Sequence, residues 1–138
     1  RQIGKGKQGA CYLVDFAGTP AVLKELKGGR SAFKAELRAL QLLQDASAVI
    51  RGTIPALLGF ETEKRRVLMS YFPGVKLPDT GLAPAFPSAP LRRRATHAWL
   101  DMAEAVEEAN RRGVIHCDVN PWNVLCKEEL PEPAGAAD

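Results

Sequence analysis

The chain has 138 residues, 46% hydrophobic and 25% charged, which suits one globular domain or a piece of a larger one. No apolar run approaches the roughly 20 residues a membrane-spanning helix requires, and the opening RQIGKGKQGA is unlike a signal peptide, so no membrane partner is expected. With 19 basic against 16 acidic residues the net charge is only +3, too small a surplus to point to nucleic acid.

Cys11, Cys117 and Cys126 form an odd set without CxxC spacing, which indicates neither a disulfide framework nor a zinc site. A reducing, intracellular and cytoplasmic setting is the easier expectation. Arg1 stands in the middle of a motif, so the natural amino terminus is expected upstream.

Residues 3 to 26 read as strand, glycine-rich turn, strand, turn and strand: a small antiparallel meander built from GKGKQG, CYLVDF, AGTP and AVLKEL. GGRS then introduces a helix from about Ser31 to Gln44, with Phe33, Leu37, Leu40 and Leu43 at helical spacing. After a connector containing Pro55, LLGFETEKRRVLMSYF predicts two more strands joined by a charged turn. The prolines of FPGVKLPDTGLAPAFPSAP argue against helix or interior strand and predict a linker or surface loop. Helical periodicity returns from about Ala95 to Arg112, with Trp99, Met102, Val106 and Ala109 on one face. Arg111 and Arg112 stand in the last turn and Gly113 ends it. The polar loop HCDVNPWNVL follows, and KEELPEPAGAAD has no clear core-forming pattern.

Gly4, Gly6 and Gly9 have the GxGxxG spacing that lets backbone N–H groups approach phosphates; three glycines in a tight hairpin would look the same. A strand rather than a helix follows them, which disfavours a dinucleotide-binding unit. Lys24 ends the apolar run AVL, either as an ordinary exposed strand lysine or pointing into a cleft beneath the glycines. Glu36 follows Phe33 by three residues and so occupies a slot on the inward face of its helix. A carboxylate there needs a partner, because an unpaired buried charge costs several kcal/mol. Lys24 is the obvious candidate, and snorkelling at the stripe's edge the alternative. Asp118 and Asn123 stand five positions apart in a loop stiffened by Pro121. An acid that accepts a hydroxyl proton and an amide oxygen that binds a divalent cation fit that spacing, as does a plain surface turn.

In this order the segments GKGKQGAC, AVLK, FKAEL and HCDVNPWN resemble the protein-kinase fold. The resemblance implies an α+β fold: a small five-stranded antiparallel sheet plus one helix as the upper lobe, then the first helix and catalytic loop of a helical lower lobe. Residues 1–74 would form the upper lobe with its hinge, 75–94 a proline-rich linker and 95–138 a partial lower lobe, truncated after the catalytic loop. It implies ATP and Mg²⁺ as cofactors. Lys24 would hold the α and β phosphates, Glu36 would orient Lys24, Asp118 would be the catalytic base and Asn123 a metal ligand. Gly4, Gly6 and Gly9 would cover the phosphates and Cys11 the adenine. VLMSYFPG looks like the hinge, with Met69 as gatekeeper and the backbone of Ser70 and Phe72 facing adenine. Asp138 stands where the family carries its second metal-binding aspartate.

Two departures matter. Cys117 replaces the arginine that usually follows the loop histidine, which speaks against control by activation-loop phosphorylation. Asn120 replaces the lysine of typical serine/threonine kinases, as in small-molecule kinases of the aminoglycoside and choline type and in some atypical protein kinases. The expected reaction is phosphate transfer from ATP to a hydroxyl of a protein, or alternatively of a small molecule. A catalytically silent kinase-like binding module is the competing reading.

Overall fold

The computed structural model describes residues 1–44, 54–76, 89–115, 123, 125 and 126. The chain packs as two compact units, one made of Arg1–Tyr71 with Glu104–Ile115 and the other of Phe72–Ala103 with His116–Asp138.

In the first unit, β1 (Gln2–Lys5), β2 (Gly9–Phe16) and β3 (Thr19–Leu26) form the expected meander. Then come α1 (Arg30–Leu43), β4 (Leu57–Glu61) and β5 (Arg66–Ser70). The five strands make one antiparallel sheet in the order β1-β2-β3-β5-β4. The β2–β3 turn is as short as a hairpin allows. Phe16 pairs with Thr19, and Ala17 and Gly18 both take positive φ, 52° and 81°, as the tight primed turns of right-twisted ribbons demand. The Gly18 N–H donates to Asp15 Oδ1 at 3.0 Å.

Helix α1 lies on one face of the sheet because its apolar stripe does. Phe33 is 1% exposed and packs with Leu26, Leu57 and Val67, with Leu37 and Leu40 at the margin. Burial of a side chain of this size contributes about 1.5–3 kcal/mol, so Phe33 and Val67 anchor the helix to β3, β4 and β5. At the far end of α1, Gln44 Nε2 donates to the Leu57 carbonyl at 3.4 Å.

Helix α2 spans Ala89–Arg111 and starts six residues before the expected Ala95. Pro90 falls in the first turn, where a missing N–H breaks no helical bond, so a residue that read as a breaker is compatible with the helix start. Of the expected face, Ala109 is buried and Met102 and Val106 are half-buried, and Trp99 departs from it. Trp99 stands 39% exposed, whereas Ala105 and Ala109 pack against Leu43 with Ile54 and Val114 alongside. These packing partners meet only the last two turns of the helix, and Trp99 precedes them. The helix ends in a Schellman arrangement: the Val114 N–H donates to the Ala109 carbonyl at 2.9 Å and the Gly113 N–H to the Asn110 carbonyl at 3.0 Å. Gly113 has φ +82°, which a residue without Cβ adopts cheaply.

In the second unit a short pair, β6 (Val75–Lys76) with β7 (Leu125–Cys126), runs antiparallel. Val75 and Lys76 were expected in the linker; two residues are too few to carry a readable alternation. Among the described residues no helix is long and apolar enough to cross a membrane.

Candidate functional site

Lys24 lies in the second half of β3, where the register sets it opposite Cys11 on β2 and Val67 on β5. Directly opposed residues of an antiparallel sheet point to one face. Cys11, Lys24 and Val67 therefore share a row, and Leu13, Val22 and Met69 form the row two residues on. Val67 packs on Phe33, so this is the face that α1 covers. Glu36 follows Phe33 by just under one turn and presents its carboxylate to the same face.

The two charges meet: Lys24 Nζ donates to Glu36 Oε1 at 2.5 Å. The side chains keep 19% and 25% exposure. The expectation that an inward carboxylate on α1 has Lys24 as its partner describes the geometry found. Cys11 feels the same pair. Burial pushes its thiol above the ordinary value; Lys24 works against that shift and Glu36 reinforces it. A thiol held protonated packs as a small apolar group, not as a nucleophile.

The glycine segment is the hairpin between β1 and β2, and its three glycines do different work. A Cβ at Gly9 would stand 2.0 Å from the Glu25 carbonyl oxygen, so close approach of β2 to β3 requires a glycine there. A Cβ at Gly4 would meet Cys11 Cβ at an ordinary 3.8 Å, and one at Gly6 would meet nothing within 4 Å. The Gly6 N–H donates to the Gly9 carbonyl at 2.9 Å and closes the turn. Gly9 is thus explained by the sheet alone, while among the described residues no neighbour demands a glycine at position 6.

Met69 pairs with Val22 on one side and Leu57 on the other, which seats it within β5. The Ser70 N–H donates to the Ala56 carbonyl at 2.9 Å, and Ser70 Oγ accepts from the Ala56 N–H at 2.8 Å. The Ser70 N–H is therefore engaged within the protein. Phe72 follows, half-buried.

Asn123 is exposed. Asp118 and Asp138 lie outside the described residues, as do His116, Cys117, Asn120 and Pro121. The structure thus brings together Lys24, Glu36, Cys11 and the glycine hairpin. Among the described residues no group of three or more His, Cys, Asp or Glu is placed to hold a metal ion. Leu13 and Val22, beside Lys24, were not singled out by helical or motif spacing. The alternation within CYLVDF and AVLKEL is the signal that places them on its face.

No family model matches the chain. The chain is similar to the serine/threonine-protein kinase RIO2 of Saccharomyces cerevisiae, 25% identical over 143 residues covering 94% of this chain and 34% of that protein. It therefore spans about a third of the length of the curated relative it matches. The likeness is distant and consistent with a kinase-like fold, and the five-stranded antiparallel sheet with α1 is compatible with the upper lobe of one.

Proposed function

We propose that the chain is the nucleotide-binding part of an ATP-dependent phosphotransferase that moves the γ-phosphate of ATP to a hydroxyl, by preference that of a protein serine or threonine. The observation that carries this is the Lys24–Glu36 ion pair, which fixes a strand lysine beside the glycine hairpin. The distant likeness to a serine/threonine kinase supports it. A fixed ammonium in one cross-strand row with Cys11 and Gly4, on a face that also carries Leu13, Val22 and Met69, has the mixture a nucleotide needs: cation for phosphate, apolar surface for base.

In this reading Lys24 holds the α and β phosphates and Glu36 keeps the lysine extended toward them. Gly4, Gly6 and Gly9 bring backbone over the phosphates. Cys11, Met69 and the backbone of Ser70 and Phe72 surround adenine. Asp118 accepts the proton of the attacking hydroxyl. Mg²⁺, held by Asn123 and Asp138, would screen the phosphate charge. Catalysis of this kind is mostly positioning.

Nucleotide titration of the intact chain tests the proposal. Mg²⁺-ATP at millimolar concentration is expected to raise the melting temperature; saturation at a hundred times Kd corresponds to about 2.7 kcal/mol. The shift should vanish in Lys24→Met. No shift in the parent chain would sink the reading. Transfer assays of the parent and Asp118→Asn, on a protein and on an aminoglycoside, then separate the two acceptor classes. Asn120, in place of the lysine of protein kinases, is what favours including the second.

A further inference from the structure

On the face of the sheet turned away from Lys24, an open depression of about 400 Å³ is lined by Lys5, Tyr12, Glu25, Lys27, Lys64 and Arg65, among others. It gathers one end of the sheet: the tip of β1, the exit of β3 and the β4–β5 turn. Two backbone bonds hold the parts together, from the Leu26 N–H to the Arg65 carbonyl and from the Lys27 N–H to the Gln8 carbonyl, each 3.0 Å. Four cations thus share one concavity with a single carboxylate. That carboxylate is already engaged, with Glu25 Oε1 2.5 Å from Arg66 Nη2.

The cations themselves are under-neutralised. Lys64 reaches Glu61 at 3.3 Å, but the two side chains are 61% and 44% exposed, so the pair is weak. Lys5, Lys27 and Arg65 form no ion pair among the described residues. Arg65 Nε is buried and meets no acceptor there. Arg65 also holds φ +53°, a left-handed conformation that costs a residue other than glycine about 1–2 kcal/mol. Like charges brought together without a counter-charge cost free energy that an anion would recover.

We propose that this depression binds a small polyanion carrying phosphate groups, at a site distinct from the nucleotide face. The volume lies within the range of small-ligand pockets, roughly 300–1,000 Å³. Arginine offers a fork and lysine a point charge to phosphate oxygens. The cations converge in one hollow instead of running as a stripe, and the whole chain carries only +3, which favours a compact anion over a nucleic-acid backbone.

Calorimetric titration of the intact chain with sodium tripolyphosphate, without divalent metal and at low salt, tests this. Binding is expected in the parent, unchanged within about twofold in Lys24→Met, and at least about tenfold weaker in the double variant Lys27→Glu/Lys64→Glu, whose positions are exposed. Arg65→Gly guards against misfolding as an explanation, because relief of its φ should raise the melting temperature while binding weakens. The proposal is overturned by no heat up to millimolar anion, by undiminished binding in either set of variants, or by loss of binding in Lys24→Met. Tighter binding of a single-stranded oligonucleotide, abolished by the same double variant, would also overturn it in favour of nucleic acid.

Discussion

Lys24 Nζ and Glu36 Oε1 stand 2.5 Å apart, joining the middle strand of the sheet to the helix that covers it. Both groups keep partial contact with water, so the bond stabilises the fold modestly. Lys24→Met and Glu36→Gln should each cost about 1 kcal/mol, between the values for exposed and buried pairs. On the proposed function each should lower phosphate transfer by about 100-fold or more. Paired urea unfolding and transfer assays check this; equal loss of stability and activity would reduce the pair to a structural clasp.

Gly9 and Gly6 should separate cleanly. A methyl at Gly9 cannot be accommodated without moving Glu25's backbone, so Gly9→Ala should destabilise by about 2–3 kcal/mol. Gly6→Ala should leave the unfolding midpoint within about 0.5 kcal/mol and weaken Mg²⁺-ATP binding. A Gly9→Ala variant as stable as the parent would show that β2 and β3 need not approach so closely.

The expectations drawn from sequence explain why these two glycines looked alike. Spacing marked Gly4, Gly6 and Gly9 as one motif, because the distance from Gly9 to a carbonyl sixteen positions on depends on strand register. Glu36 was legible, since helical periodicity fixed by Phe33, Leu37 and Leu40 left it on the inward face and a charge there demands a partner. The meander was legible from alternation and turn residues. Register was not: nothing in AVLKEL or KRRVLM announces that Glu25 and Glu61 would flank Arg66 across three strands. The early start of α2 was obscured by Pro90, read as a breaker where it occupies a first turn.

Cys11 offers a chemical probe of the site. Burial holds its thiol up and Lys24 pulls it down. In a chain with Cys117 and Cys126 replaced by serine, iodoacetamide should react slowly at neutral pH, and more slowly still after Lys24→Met. Bound nucleotide should protect Cys11 further; unchanged rates with saturating Mg²⁺-ATP would place the ligand elsewhere. The folded state holds this proton more tightly than the unfolded chain. The corresponding stability is therefore present below roughly pH 8.5 and is lost as pH rises through the folded value. Cys11→Ser should flatten that alkaline decline.

The β2–β3 turn leaves room for improvement. Ala17 takes φ 52°, where a Cβ is unfavourable and asparagine is tolerated. Ala17→Asn should raise stability by about 0.5–1 kcal/mol without touching nucleotide binding. A lower melting temperature would mean that the turn changes type.

Phe33 should dominate the core ledger. It is 1% exposed and packs on Leu26, Leu57 and Val67, so Phe33→Ala should cost about 3–5 kcal/mol. Because Glu36 rides on the same helix, part of any ligand affinity should go with it, as a circular dichroism melt and a nucleotide titration run side by side would reveal.

The unequal glycines of the first hairpin have an evolutionary corollary. Among the described residues the sheet holds Gly9 hostage but not Gly6; on the proposed function, the glycine at the tip answers to the nucleotide beneath it. A descendant that abandoned its ligand could drift at the tip while its sheet survived, and would keep the outline of an enzyme after the chemistry had gone.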